Sequence, residues 1–340
     1  MKRLAASVWT AGLLLLAPAA FADGFSARTF AKVSKAAVEI IVDGQVKGGG
    51  TCIDANGGIV TCAHLFATPH VSIEVVHPVM GRLPASLTAV SLGHDLALLT
   101  LETDEKVPVY LRFAKKLPSP GTEIWNPGHP LWNGLTLLHG RTASPGSVYC
   151  RFEQWQDNVE CVYVSAMTPV LTSGSSWVNG SGEVIGIQSG RLNDNDHPAG
   201  IGMIVPLKDI KAIVDRKTSA DTPGCGGWVW ELWTTDKGLI KGYPKGQEGL
   251  VITKLYPDRP MEKAGLKLHD LITHVNDQPV RRRPDFFRLL RAAKPGDEVK
   301  INGLRRKGAT AFELTLIPDS LEANWHAKHA PKDETVEAGE

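Results

Sequence analysis

Between residues 36 and about 213 the chain is broken every few residues by Gly, Pro, Asn or Asp, and the stretches between the breaks are short and β-branched. Val38-Glu39-Ile40-Ile41-Val42, Gly58-Ile59-Val60-Thr61 and Glu183-Val184-Ile185-Gly186-Ile187 are examples. Branching at Cβ favours the pleated chain, and bounded apolar runs of this length read as strands. A long series of them without intervening helices implies a mostly β fold closed as a barrel or stacked as a sandwich. Asn56-Gly57 is a hairpin-turn pair, because both residue types tolerate positive φ. Helical spacing appears at the end of this region, over Leu207-Lys208-Asp209-Ile210-Lys211-Ala212-Ile213-Val214.

The chain has 340 residues, which fits two domains at roughly 100–200 residues each. The polar stretch 217–224, with Pro and Gly, reads as a linker. A mixed α+β domain follows over 225–319, with strands at Leu250-Val251-Ile252 and Leu271-Ile272-Thr273-His274-Val275 and a helix over residues 285–291 before Pro295-Gly296. Residues 320–340 are rich in Lys, Glu, His and Ala and are expected to be disordered. At the start, Lys2 and Arg3 precede an uncharged run from Leu4 to Ala20, and Ala20-Phe21-Ala22 fits a small-x-small cleavage rule. Residues 1–22 therefore read as a signal peptide, with an uncleaved anchor as the alternative, and the mature chain is expected to be periplasmic or secreted. No later run is long and apolar enough to imply a membrane span.

Lys and Arg total 37 and Asp and Glu 36, so no basic excess points to nucleic acid. Arg281-Arg282-Arg283 reads as a surface turn. Export would place Cys52, Cys62, Cys150, Cys161 and Cys225 where disulfides persist. Cys150 and Cys161 flank an expected hairpin around residues 154–158, and Cys52 and Cys62 flank the Asn56-Gly57 turn, so those pairs are the expected bridges, with Cys225 left over. None lies in a CxxC pair, and no metal site is expected.

Three residues carry chemistry together. His64 follows a strand, Asp95 lies in His94-Asp95-Leu96-Ala97-Leu98-Leu99, and Ser173 lies in Thr172-Ser173-Gly174-Ser175. A hydroxyl nucleophile needs an imidazole to take its proton and a carboxylate to fix the tautomer, and the order His, Asp, Ser is that of chymotrypsin-type double barrels. Around these residues the chain resembles the HtrA (high-temperature-requirement) group of trypsin-like peptidases. The segment from Gly48-Gly49-Gly50 to His64 is similar to the group's glycine-rich hairpin. Asp95 to Leu99 resembles its D-L-A-L-L run, Asn126-Pro127-Gly128 its G-N-P stretch, and Gly200-Ile201-Gly202-Met203-Ile204-Val205-Pro206 its G-I-G-F-A-I-P strand.

That resemblance implies an endopeptidase acting on unfolded or misfolded proteins through an acyl-enzyme. Ser173 is the nucleophile, His64 the general base, Asp95 its orienter, and the Leu171 and Ser173 amides the oxyanion hole. Ser173, rather than Ser175 or Ser176, keeps Asn179 and Gly182 in the group's register. The group has Gly where this chain has Leu171. The resemblance also implies a primary pocket formed by Met167, Ile187, Gln188 and Ser189, with Met167 at its floor, and no cofactor. Gly249 to Leu255, Pro260 to Leu266 and Asp270 to Asn276 resemble the bacterial PDZ pattern, with His269 where Gly is usual. A PDZ domain would bind extended peptides by strand addition near Gly227, Trp228, Val229 and Trp230. HtrA-like enzymes often form trimers through aromatic residues near the mature N-terminus, for which Phe25 and Phe30 are the candidates here. The competing reading is a catalytically inactive barrel with a working PDZ domain, acting as a peptide-binding or chaperone-like module.

Overall fold

The computed structural model describes residues 25–129, 134–194, 197–234, 241–306 and 310–329. The expected signal segment and residues 330–340 lie outside them. After helix α1 (Ala27–Ser34), six strands close a first barrel: β1 (Ala37–Val42), β2 (Gln45–Cys52), β3 (Gly58–Thr61), β4 (Ile73–His77), β5 (Gly81–Ser91) and β6 (Leu96–Leu101), in the order β1-β2-β3-β6-β5-β4. Its interior is packed by Ile40, Ile59, Leu96 and Leu99, all fully buried. At the Asn56-Gly57 turn, Asp54 Oδ1 accepts from the amides of Asn56 (2.7 Å) and Gly58 (3.0 Å).

Strands β7 (Glu123–Gly128), β8 (Thr136–Thr142), β9 (Val148–Phe152), β10 (Asp157–Ser165), β11 (Ser176–Val178), β12 (Val184–Asp194) and β13 (His197–Pro206) form a second sheet. Its order is β13-β12-β11-β7-β8-β10-β9, and pairing of β10 with β13 closes it into a second barrel around Ile124, Trp177, Ile185 and Ile204. Strand β9 pairs with β10 over Asp157–Cys161, whereas β13 pairs with β10 over Val162–Ser165. The β9–β10 hairpin therefore projects beyond the barrel. Helix α2 (Leu207–Arg216) follows, on the residues whose spacing implied it.

The C-terminal domain contains β14 (Pro223–Gly224), β15 (Gly227–Glu231), β16 (Leu250–Leu255), helix α3 (Pro260–Lys263), β17 (Leu271–Val275), β18 (Gln278–Pro279), helix α4 (Arg283–Leu290), β19 (Val299–Leu304), β20 (Ala311–Leu316) and β21 (Asp319–Ser320). The main sheet runs β15-β16-β17-β19-β20, which leaves β15 at its edge. Val229, Ile252, Ile272, Phe286 and Leu290 are fully buried between sheet and helix. Asp285 caps α4 by accepting from the amides of Arg281 (3.1 Å) and Arg282 (3.0 Å). The Arg281-Arg282-Arg283 turn is thus only partly a solvated surface, because Arg283 also pairs with Glu231 at 3.0 Å. His269 has φ 66°, the left-handed conformation for which the family pattern uses Gly.

Residues 217–224, read as the linker, are held to the first barrel: Ala220 N–H donates to Val90 O (2.8 Å) and Val90 N–H to Ser219 Oγ (3.1 Å). One expectation fails. The segment 320–340 is not disordered over its first half, because helix α5 spans Leu321–His329. Leu321 and Trp325, one turn apart, are buried against the first barrel, and Trp325 Nε1 donates to Phe66 O at 3.1 Å. The Glu322 carboxylate accepts from Leu92 N–H (2.8 Å), Thr222 N–H (2.6 Å) and Thr222 Oγ (2.7 Å). Three well-placed side chains order a segment whose mean composition argues for disorder.

Candidate active site and the adjoining sheet edge

His64 sits on a 3-10 turn (Ala63–Phe66) directly after β3, and Asp95 ends a second one (Leu92–His94) with φ 53° before β6. The two side chains meet between the barrels. Asp95 is fully buried. Its Oδ1 accepts from the His64 amide at 2.8 Å, and its Oδ2 lies 2.7 Å from His64 Nδ1. Ser189 Oγ donates to the same Oδ2 at 2.5 Å. Ser189 therefore also acts behind the carboxylate, with its side chain 3% exposed and its carbonyl turned to the Ser173 hydroxyl. Burial pulls the His64 imidazole down, but the charge and hydrogen bond of Asp95 outweigh it and hold the ring above its ordinary value.

The Ser173 loop is fixed by backbone contacts from both barrels. Gly49 N–H donates to Ser173 O (2.8 Å), and Gly174 N–H donates to Gln188 O (2.7 Å). This close approach explains two glycines: a Cβ on Gly48 would strike Ser173 O, and one on Gly174, at φ 86°, would strike Gly49 O and Thr61 Oγ1. Ser175 and Ser176 are buried, and Ser175 Oγ lies 2.5 Å from Thr172 O. Ser173 is the partly exposed serine of the three. Its hydroxyl is directed to Ser189 O at a long 3.4 Å, and no hydrogen bond joins it to the His64 ring. Resting sites often lack this bond until substrate arrives.

Leu171 has φ 70°. The residue that replaces glycine therefore takes the glycine conformation, at a cost of about 1–2 kcal/mol. Among the described residues, neither the Leu171 nor the Ser173 amide finds a protein acceptor, whereas Thr172 N–H is engaged with Pro169 O. Two open donors flanking one engaged amide can face a developing oxyanion.

The pocket differs from expectation. Met167 is 61% exposed and forms no buried floor, because the chain alternates as it leaves β10 and turns Ala166 and Thr168 inward instead. Gln188 is buried, with Oε1 accepting from Trp177 Nε1 at 2.7 Å, and Ile187 belongs to the barrel core. Arg191 donates to Thr168 O at 2.9 Å. Sequence reasoning missed the inward Thr168 and the Ser189–Asp95 bond; the first was available from period-two alternation.

All five cysteines are unbonded. Cys52 stands opposite Ile59, not Cys62, and Cys62 Sγ turns to Gln188 O at 2.9 Å, so this pair does not face. Cys150 and Cys161 lie diagonally across the β9–β10 pair, with sulfurs 3.2 Å apart. Among the described residues, His94, Glu160 and Asp209 also cluster, but Glu160 already holds Lys208 Nζ at 2.7 Å.

On the C-terminal domain, Gly227, Trp228, Val229 and Trp230 lie on edge strand β15, with Val229 buried in the core. The two indoles carry cations: Arg151 stacks on both rings (4.9 and 5.0 Å), Lys254 on Trp228 (4.4 Å) and Arg283 on Trp230 (4.1 Å). Phe25 stacks on Trp125 of its own chain at 4.9 Å.

A double β-barrel with a buried His–Asp pair and a serine followed by glycine, joined to a domain whose six-stranded sheet has β15 at its edge, defines a trypsin-like serine peptidase joined to a PDZ domain. Family models agree, a trypsin-like peptidase domain matching residues 48–187 and a PDZ domain residues 208–316. The chain is HtrA-like and a serine endopeptidase. Serine endoprotease DegS of Escherichia coli is 24% identical over 279 residues, covering 79% of this chain and 76% of that protein. Serine protease HTRA1 of Xenopus tropicalis is 25% identical over 293 residues, covering 81% and 60%. The structure of the HtrA-type protease AlgW with a decapeptide superposes with a TM-score of 0.62 at 17% identity, covering 86% of this chain and 97% of that one. A serine endoprotease from Yersinia pestis gives 0.58 at 18%.

Proposed function

We propose that this protein is an exported quality-control endopeptidase that cleaves unfolded polypeptides through an acyl-enzyme on Ser173. The observation that carries the proposal is the buried Asp95, which fixes the His64 ring, while the one accessible serine of the Thr172–Ser176 loop, Ser173, directs its hydroxyl to the carbonyl of Ser189, whose own hydroxyl holds Asp95. His64 takes the Ser173 proton as the hydroxyl attacks the scissile carbonyl, and returns it to the leaving amine. The Leu171 and Ser173 amides hold the oxyanion, and Asp95 stabilises the imidazolium.

Specificity follows from the inward residues. Thr168 and Gln188 are neutral, and the Arg191 guanidinium sits on the Thr168 carbonyl. A basic substrate side chain would meet no carboxylate there, so cleavage falls after small or medium aliphatic residues. In an oxidising compartment the Cys150 and Cys161 thiols are close enough to bridge, which non-reducing peptide mapping would detect. The PDZ domain binds hydrophobic C-terminal or unfolded segments by strand addition at β15, and the mature enzyme assembles as a trimer.

The test is digestion of a reduced, carboxymethylated protein with mass-spectrometric mapping of the cuts. Cuts after Val, Ala or Leu that vanish in Ser173→Ala support the reading. A profile dominated by Arg or Lys, or cutting that survives Ser173→Ala, overturns it.

A further inference from the structure

The β9–β10 hairpin leaves the second barrel and enters the C-terminal domain. Tyr149 is buried in that domain's core, stacked on Phe287 of α4 with ring centroids 4.6 Å apart, and Arg283 of α4 donates to its carbonyl at 2.8 Å. On the other strand, the Asn158 amide group donates to Gly227 O at the start of β15 (3.3 Å), and Arg291 at the end of α4 donates to Asn158 O (2.9 Å). The hairpin thus bridges edge strand β15 and helix α4, the two walls between which an added strand would lie.

At the mouth of this groove the fully buried Asp157 carboxylate accepts from two successive amides, Cys225 N–H at 2.7 Å and Gly226 N–H at 3.0 Å, where Gly226 has φ 66°. Consecutive amides turned by a left-handed residue form a concave anion site, the device by which backbone captures a terminal carboxylate. The fit is incomplete. Asn158 Oδ1, Trp228 Nε1 and Arg291 Nε are buried with no partner. Trp228 Nε1 and Arg291 Nε, on the C-terminal domain, are unmade hydrogen bonds that a competing chain could supply, and Asn158 Oδ1 is one that the hairpin regains on release.

We propose that the peptide groove of the C-terminal domain is occupied in cis by the β9–β10 hairpin. Asp157 stands in for the terminal carboxylate and Tyr149 for the terminal side chain, so a free C-terminus binds only by displacing the hairpin. This rests on reading the domain as a peptide binder. The contact is autoinhibitory, since the groove's intrinsic affinity is reduced by the fraction of molecules in which the hairpin is docked.

The test uses the full chain and a fluorescein-labelled decapeptide ending in Ser-Leu-Tyr, as free acid and as C-terminal amide. Asp157→Ala should bind the acid at least about tenfold more tightly than the wild type, with the amide weak throughout. In the wild type, saturating acid should raise hydrogen exchange across residues 148–161, a readout that holds even if the variant folds poorly. Equal affinity of wild type and variant for the acid, or bound peptide with unchanged exchange in the hairpin, overturns cis occupancy while leaving peptide binding intact. No binding by either protein overturns both readings.

Discussion

Both oxygens of Asp95 are engaged: one by the His64 amide, the other by the His64 ring and the Ser189 hydroxyl. A carboxylate held this way cannot rotate, so the imidazole it orients cannot either. Because His64 serves as a base only when neutral, and its proton affinity is raised, the acid limb of the kcat/KM profile should lie above the ordinary histidine value of about 6.5. Activity is then lost as pH falls through that limb. Asp95→Asn removes the charge that raises it, so the limb should move down and kcat should fall by roughly 10⁴-fold; a limb that does not move contradicts the pairing. At Leu171 the strained backbone is already in place. Leu171→Gly should keep turnover within about tenfold of wild type, well short of the 10²–10³-fold loss that removing an oxyanion donor causes. Leu171→Val, whose branched Cβ fits φ 70° poorly, should lower unfolding free energy by about 1 kcal/mol or more in urea titration.

Elements with strong local signals were legible from the residues alone. The Asn56-Gly57 turn, the helix after Pro206, the strand at Leu271–Val275 and the left-handed tolerance of His269 all reflect chemistry within a few positions. Helix α5 was not, because composition averages hide a Leu321–Trp325 pair at helical spacing and a single Glu322 that finds three donors far away in sequence. Its stabilising role can be measured: Trp325→Ala should cost about 3–5 kcal/mol in denaturant unfolding, as large buried aromatics do. The pairing of His64 with Asp95 was legible by order and register. Ser189, assigned to the pocket, lies behind Asp95 because β12 carries it there, a long-range pairing no local pattern encodes. Met167 failed for a simpler reason: alternation placed its neighbours inward.

At the scale of the molecule, the glycine-rich β2 and the nucleophile loop belong to different barrels, and their contact through Gly49 and Ser173 O makes the site a property of both. The C-terminal domain is tied to the second barrel by the β9–β10 hairpin and to the first by α5. Neither tie could be read from the sequence, since both depend on pairs about 70 to 260 residues apart. The whole assembly presents a fixed imidazole and one partly exposed serine in its loop, and that arrangement is open to direct chemistry. Incubation of the purified protein with a fluorophosphonate, followed by peptide mapping, should place a single adduct on Ser173 that disappears in His64→Ala and persists in Ser175→Ala. An adduct on Ser175 or Ser176, or none on a protein folded by circular dichroism, would contradict Ser173 as the activated nucleophile.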